Sequence, residues 1–113
     1  HGLRPISMVR FQKNIQEVEC PEPVEGAFFV YMLLCKDDSF YCGSTVNVKN
    51  RLKEHYSGEA SLWTRMRRPV YLIYYESYPS LILARRREEQ IKGWTRKKKM
   101  NLINGLWTNS KSL

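Results

Sequence analysis

Phe28-Phe29-Val30-Tyr31-Met32-Leu33-Leu34-Cys35 is an unbroken apolar and aromatic run, followed by Lys36-Asp37-Asp38-Ser39 and then by Phe40-Tyr41-Cys42-Gly43. Two apolar runs around a short polar stretch predict a β-hairpin. Its loop length decides what the hairpin displays, because side chains alternate across a strand. A two-residue turn at Asp37-Asp38 would set Leu34 opposite Tyr41, with Tyr31 pointing the other way. A three-residue loop from Lys36 to Asp38 would set Leu33 opposite Tyr41 and Tyr31 opposite Gly43, so both tyrosines would face together. The longer loop asks for a left-handed residue at its end, where aspartate is tolerated and glycine would be better.

Downstream, Asn47 or Thr45 can cap a helix running to about Tyr56, with Val48, Leu52 and His55 on one face. Ser57-Gly58 ends it. Residues 60–69 mix aromatic and basic residues and stop at Pro69, which predicts a short helix or loop. Val70-Tyr71-Leu72-Ile73-Tyr74-Tyr75 is the clearest strand. Pro79-Ser80 starts a helix reaching Lys92 or Gly93, and Thr95 opens a last short helix ending near Asn104-Gly105. The order ββ-α-β-αα, without a βαβ series, predicts an α+β fold: a small three-stranded, antiparallel-rich sheet flanked by helices.

Residues 1–26 hold Pro5, Pro21 and Pro23 and no sustained period. They read as an irregular leader, with a single domain over 27–108 and no internal repeat. The chain opens on His1-Gly2 rather than on methionine, so part of this segment is expected to be an expression remnant, with Met8 as the expected natural start.

A length of 113 residues suits one domain with a modest core. A net charge of +8 and a pI near 9.6 favour an anionic partner, nucleic acid first. No apolar run approaches the roughly 20 residues that span a membrane, and no signal-peptide pattern opens the chain. A cytoplasmic monomer is the expectation. The three cysteines match no zinc spacing. Cys35 and Cys42 lie in apolar runs and read as buried free thiols rather than as partners of His55.

Glu88 stands out on its helix. At about 100° per residue from Ala84, Leu81 lies at roughly 60°, Glu88 at roughly 40°, Ile91 at roughly 340° and Thr95 at roughly 20°. Glu88 therefore falls within the apolar stripe, whereas Glu89, at roughly 140°, falls on the flank as a solvated charge. A carboxylate facing a core is costly unless it is ion-paired or bound to a metal. Arg51 lies at the border of the first helix's buried face, where its guanidinium can snorkel to solvent or reach a phosphate.

Taken in order, Tyr31, Tyr41 before Gly43, Arg51 and Glu88 resemble the GIY-YIG nuclease family, in particular its small single-domain bacterial branch, over roughly residues 28–103. The first triplet reads Phe29-Val30-Tyr31 in place of Gly-Ile-Tyr, and Cys42 stands where an aliphatic residue or threonine is usual. Both departures spare the tyrosines and the glycine. The resemblance requires the two tyrosines on one face, and so selects the three-residue loop. It implies a divalent-metal-dependent endonuclease that hydrolyses DNA phosphodiester bonds, with RNA not excluded.

In that reading Glu88 holds one Mg2+ or Mn2+ ion, since a lone carboxylate suits an ion that keeps most of its waters. Arg51 stabilises transition-state charge. Tyr41 is the favoured proton acceptor, with an ordinary pKa of about 10 that would have to be lowered, and Tyr31 orients it. His55 matches a family histidine and carries protons or contacts phosphate. Gly43 leaves room for phosphate or metal to approach the backbone. Thr64, Arg65 and Arg68 resemble residues before the third strand, the arginines as DNA-backbone contacts supplemented by Lys97, Lys98 and Lys99. Asn101 and Asn104 both lie where a late family asparagine falls. The rival readings are a non-catalytic basic nucleic-acid-binding module on the same fold and a protein-interaction domain, whose binding would lack steep salt dependence.

Overall fold

The Cys35 carbonyl accepts from the Asp38 N–H at 2.9 Å, and the Cys35 N–H donates to the Ser39 carbonyl at 2.9 Å. In the computed structural model, which describes residues 15–105, these bonds close a loop of Lys36, Asp37 and Asp38 between β1 (Phe28–Cys35) and β2 (Phe40–Thr45). Asp38 adopts φ 71, the left-handed conformation that ends such a loop. The resulting register pairs Tyr31 with Gly43 and Leu33 with Tyr41.

Four helices and a third strand complete the order: α1 (Val48–Ser57), α2 (Leu62–Arg65), β3 (Val70–Tyr78), α3 (Leu81–Lys92) and α4 (Arg96–Ile103). The 60–69 segment thus contains a short helix, and the full order is ββααβαα. Asn47, Ser61, Ser80 and Thr95 each cap a helix by accepting the N–H three residues on. Gly58 closes α1 at φ 91, where a residue with a Cβ would be strained. Thr95 caps α4 and so lies outside the α3 stripe on which the sequence periodicity set it. Leu81 also leaves that stripe and is exposed, because α3 buries only Ala84 and Ile91 and its first turn stands clear of the packed stretch.

The sheet runs β2-β1-β3, antiparallel throughout, so β2 is an edge strand. Alternation along β1 divides the core in two. Phe29, Tyr31, Leu33 and Cys35 pack with Val48 and Leu52 of α1, while Val30, Met32 and Leu34 pack with Ala84, Ile91 and Leu102 of α3 and α4. Arg87 donates to both oxygens of Glu76 at 2.9 Å, tying α3 to β3. Residues 15–26 carry no regular element, yet Ile15 is buried and the Val18 N–H donates to Leu72 O at 2.9 Å. Residues 1–14 of the expected leader, and 106–108 of the expected domain, lie outside the described residues. No helix among the described residues is long and apolar enough to cross a membrane.

Candidate active site

The register of the hairpin turns Tyr31 and Tyr41 to the α1 face, with ring centroids 6.3 Å apart. His55, from the last turns of α1, meets both rings edge-on, at 5.8 Å from Tyr31 and 5.1 Å from Tyr41. Trp63 of α2 lies against Tyr41 at 5.9 Å. Tyr31 crosses β2 directly over Gly43, where a Cβ would stand 2.6 Å from its hydroxyl and 2.8 Å from Cζ. The room expected above Gly43 for phosphate or metal is therefore filled by Tyr31. The glycine serves the site through that ring.

His55 is fully buried between two hydroxyls, with Nε2 2.9 Å from the Tyr31 hydroxyl and Nδ1 2.9 Å from Thr64 Oγ1. Burial, and secondarily the charge of Arg51, pushes its pKa down from 6.5 to about 4. The ring is therefore neutral at pH 7. Burial drives the Tyr31 hydroxyl well above its ordinary value, and Tyr41 adds to that rise. Arg51 stands beside the phenol and works in the opposite direction, while Glu88 contributes a further rise. Arg51 is part-exposed and paired with Glu54 at 2.9 Å, one α1 turn on. The Tyr41 hydroxyl, by contrast, has no hydrogen-bond partner among the described residues and is only half-buried.

Glu88 reaches the same strand from the other face. Its Oε1 accepts from Ser44 Oγ at 2.7 Å, and Lys92 Nζ lies 2.8 Å from Oε2. Ser44 directly follows Gly43, so the Glu88 carboxylate and the Tyr31 phenol flank neighbouring residues of one edge strand. With its side chain 18% exposed, Glu88 is neither a core residue nor a solvated one. Glu89 is exposed. The donors at Glu88 are hard oxygens, its carboxylate and the Ser44 hydroxyl, and no group of three His, Cys, Asp or Glu among the described residues could cage a metal. Such a site fits an ion that keeps most of its own waters, as magnesium does, and does not fit zinc.

The basic residues differ in how firmly the fold engages them. Arg68 donates Nε to Arg65 O at 3.1 Å and NH1 to Tyr56 O at 3.0 Å, so it fastens α2 to the end of α1. Besides the DNA contact expected of it, Arg68 thus has a structural engagement, with its Nη1 close over Gly58. Arg65 is exposed, with its stem packed over Gly58. On the other face, Lys97 is exposed, Lys98 lies 4.7 Å over Trp94 and Lys99 is half-buried. Arg96 stacks on Phe40 at 4.4 Å. Basic residues therefore border the β2 edge from both layers. Asn101 is half-buried within α4, and Asn104 caps its C-terminus.

Cys35 and Cys42 are buried free thiols, pushed by burial to about 11 and about 12. Cys42 packs on the α3 face, away from His55. Several partners escaped the sequence reading: Ser44, Lys92, Glu54, Ser61 and the Trp63–Arg67 stack at 3.9 Å. Lys92 and Glu54 left a trace, as opposite charges four residues after Glu88 and three after Arg51 on their helix faces.

Residues 27–101 match the model of the GIY-YIG catalytic domain. A UPF0213 protein of Staphylococcus haemolyticus (strain JCSC1435) is 43% identical over 75 residues, which make up 66% of this chain and 92% of the relative. A UPF0213 protein of Staphylococcus aureus (strain Mu3 / ATCC 700698) has the same identity over the same shares. Among solved structures, the solution NMR structure of the protein EF2693 from E. faecalis is 34% identical, with a TM-score of 0.54. The likeness covers 75% of this chain and 90% of that one.

Proposed function

The chain belongs to the GIY-YIG family of nucleases, and on that premise we propose that it hydrolyses DNA phosphodiester bonds by in-line attack of water, with Glu88 holding one Mg2+ or Mn2+ ion. The observation that carries this reading is the convergence on Gly43-Ser44 of the β2 edge. Tyr31 with His55 and Arg51 reaches it from one face, and Glu88 reaches it from the other. Binding alone would require no such grouping of phenols, guanidinium and carboxylate.

Each side chain has a distinct task. Tyr41, whose hydroxyl is free of partners among the described residues, loses its own proton to solvent and as the phenolate accepts the proton of the attacking water. Tyr31, held by His55, orients that water. His55, neutral and buried, carries protons behind the two phenols. Arg51 places a permanent positive charge where negative charge develops on the phosphoryl oxygens. An ion on Glu88 would polarise the scissile phosphate and steady the leaving oxygen. Arg65 and Lys97 to Lys99 hold the DNA backbone on either side of the edge strand.

The test is incubation of the full chain with plasmid, branched DNA and RNA, each with magnesium, with manganese and with chelator. Metal-dependent nicking or cleavage of DNA that disappears in Glu88→Gln is the expected result. Salt-dependent binding with no cleavage under any metal would put a non-catalytic binding module in its place.

A further inference from the structure

We propose that Thr64 is a positioning residue that fixes His55 as its Nδ1–H tautomer, leaving a bare Nε2 to accept the hydrogen bond of the Tyr31 O–H and turning the phenol's lone pairs toward the site. Its part in turnover rests on the nuclease reading above, but the tautomer itself does not.

A count of protons carries the assignment. Thr64 is fully buried, and its one hydroxyl proton is aimed at Ser61 O, 3.3 Å away. Ser61 Oγ, 3.1 Å off, is a further hydroxyl with which Thr64 Oγ1 can exchange a hydrogen bond, and it also accepts the Thr64 N–H at 3.0 Å. Thr64 can therefore dispose of its proton without the imidazole, and it has lone pairs left to accept from Nδ1 at 2.9 Å. Tyr31 has no such freedom. Among the described residues the one acceptor its hydroxyl meets is His55 Nε2, at 2.9 Å, because the neighbouring Arg51 can only donate to the phenol and has no lone pair to offer.

The opposite tautomer would set Nε2–H against a phenol that already faces a donor. The buried Tyr31 proton would then lack an acceptor among the described residues, an arrangement that costs free energy. The chain Tyr31 O–H to Nε2, Nδ1–H to Thr64 and Thr64 O–H to Ser61 O satisfies every donor. It also decides what the site meets: a phenol oxygen that accepts from water, not one that donates to it.

The experiment measures the 15N shifts of the His55 ring in the full chain at pH 7, with the resonance identified by its loss in His55→Gln. Wild type and Thr64→Ser should show Nδ1 protonated and Nε2 bare, whereas Thr64→Val should shift toward Nε2–H. A wild-type ring protonated at Nε2 overturns the proposal even if the valine variant fails to fold. In cleavage, Thr64→Val should lose about 10- to 100-fold in kcat with KM little changed, as removal of a ligand-orienting partner does, and Thr64→Ser should restore it. Full cleavage by a folded Thr64→Val would refute the positioning role. Absence of cleavage in wild type with the expected tautomer would instead count against the nuclease reading alone.

Discussion

The Tyr31 phenol lies across Gly43 so closely that a single added carbon would stand 2.6 Å from its oxygen. Gly43→Ala therefore forces the ring off β2 and breaks its bond to His55. Overpacking of this kind costs about 1–3 kcal/mol, so the melting temperature should fall. Cleavage should fall much further than stability, measured at a temperature where the variant remains folded. Normal activity in a folded Gly43→Ala would detach Tyr31 from the reaction.

Glu88→Gln keeps the side-chain volume and still offers an acceptor to Ser44, while Lys92 loses a partner it can replace with solvent. Stability should change by less than about 1 kcal/mol, as for part-exposed ion pairs in general. Magnesium-dependent cleavage should drop by at least about a thousandfold, because the ion loses its one protein carboxylate. Binding to DNA in chelator should persist or tighten. Glu89→Gln, on the exposed flank, is the control and should cleave normally.

His55 links folding to acid. Its pKa is lowered in the folded chain to about 4 from 6.5, so between those values the unfolded chain binds the proton and the folded chain does not. The contribution is fully present above about pH 6.5 and is lost as pH falls toward 4, a span worth about 3 kcal/mol. Denaturation midpoints measured from pH 7.5 to 4 should show this decline. In His55→Gln the decline over that window should flatten, whatever that variant's absolute stability.

Arg65 and Arg68 should behave differently. Arg65 is exposed, and Arg65→Gln should lower the slope of log affinity against log salt by about one while leaving the fold intact. Lys97→Gln should act alike from the other layer. Arg68→Gln forfeits two bonds to backbone carbonyls and should lower the melting temperature before it affects binding. Equal melting temperatures for Arg65→Gln and Arg68→Gln would contradict the anchoring role.

Much of the fold was legible because it is written locally. Caps at Asn47, Ser80 and Thr95, the stop at Gly58 and the left-handed Asp38 are all short-range signals. Glu88 announced itself by falling in the apolar stripe of α3, and both tyrosines came onto one face with the three-residue loop. The remaining contacts join residues far apart in the chain. Nothing near Ser44 signals that Glu88 will accept its hydroxyl proton, and nothing near Thr64 signals His55. Gly43 misled for the same reason: its empty side suggested room for substrate, but a strand pairing determines what fills it.

The placement of Glu88 has a consequence for how this molecule can be taken apart. The carboxylate belongs to one layer of the sandwich and the phenols, imidazole and guanidinium to the other, and they meet only around the rim of β2. Their separation is set by the thickness of one strand. Changes deep in either layer, at Ile91 or Leu52 for example, would therefore retune the proposed reaction by tilting a helix, without touching any group assigned to the phosphate. Conversely, a blade-like edge admits a polymer backbone from either side, so selectivity among DNA shapes would reside in what the flanking helices tolerate rather than in a pocket.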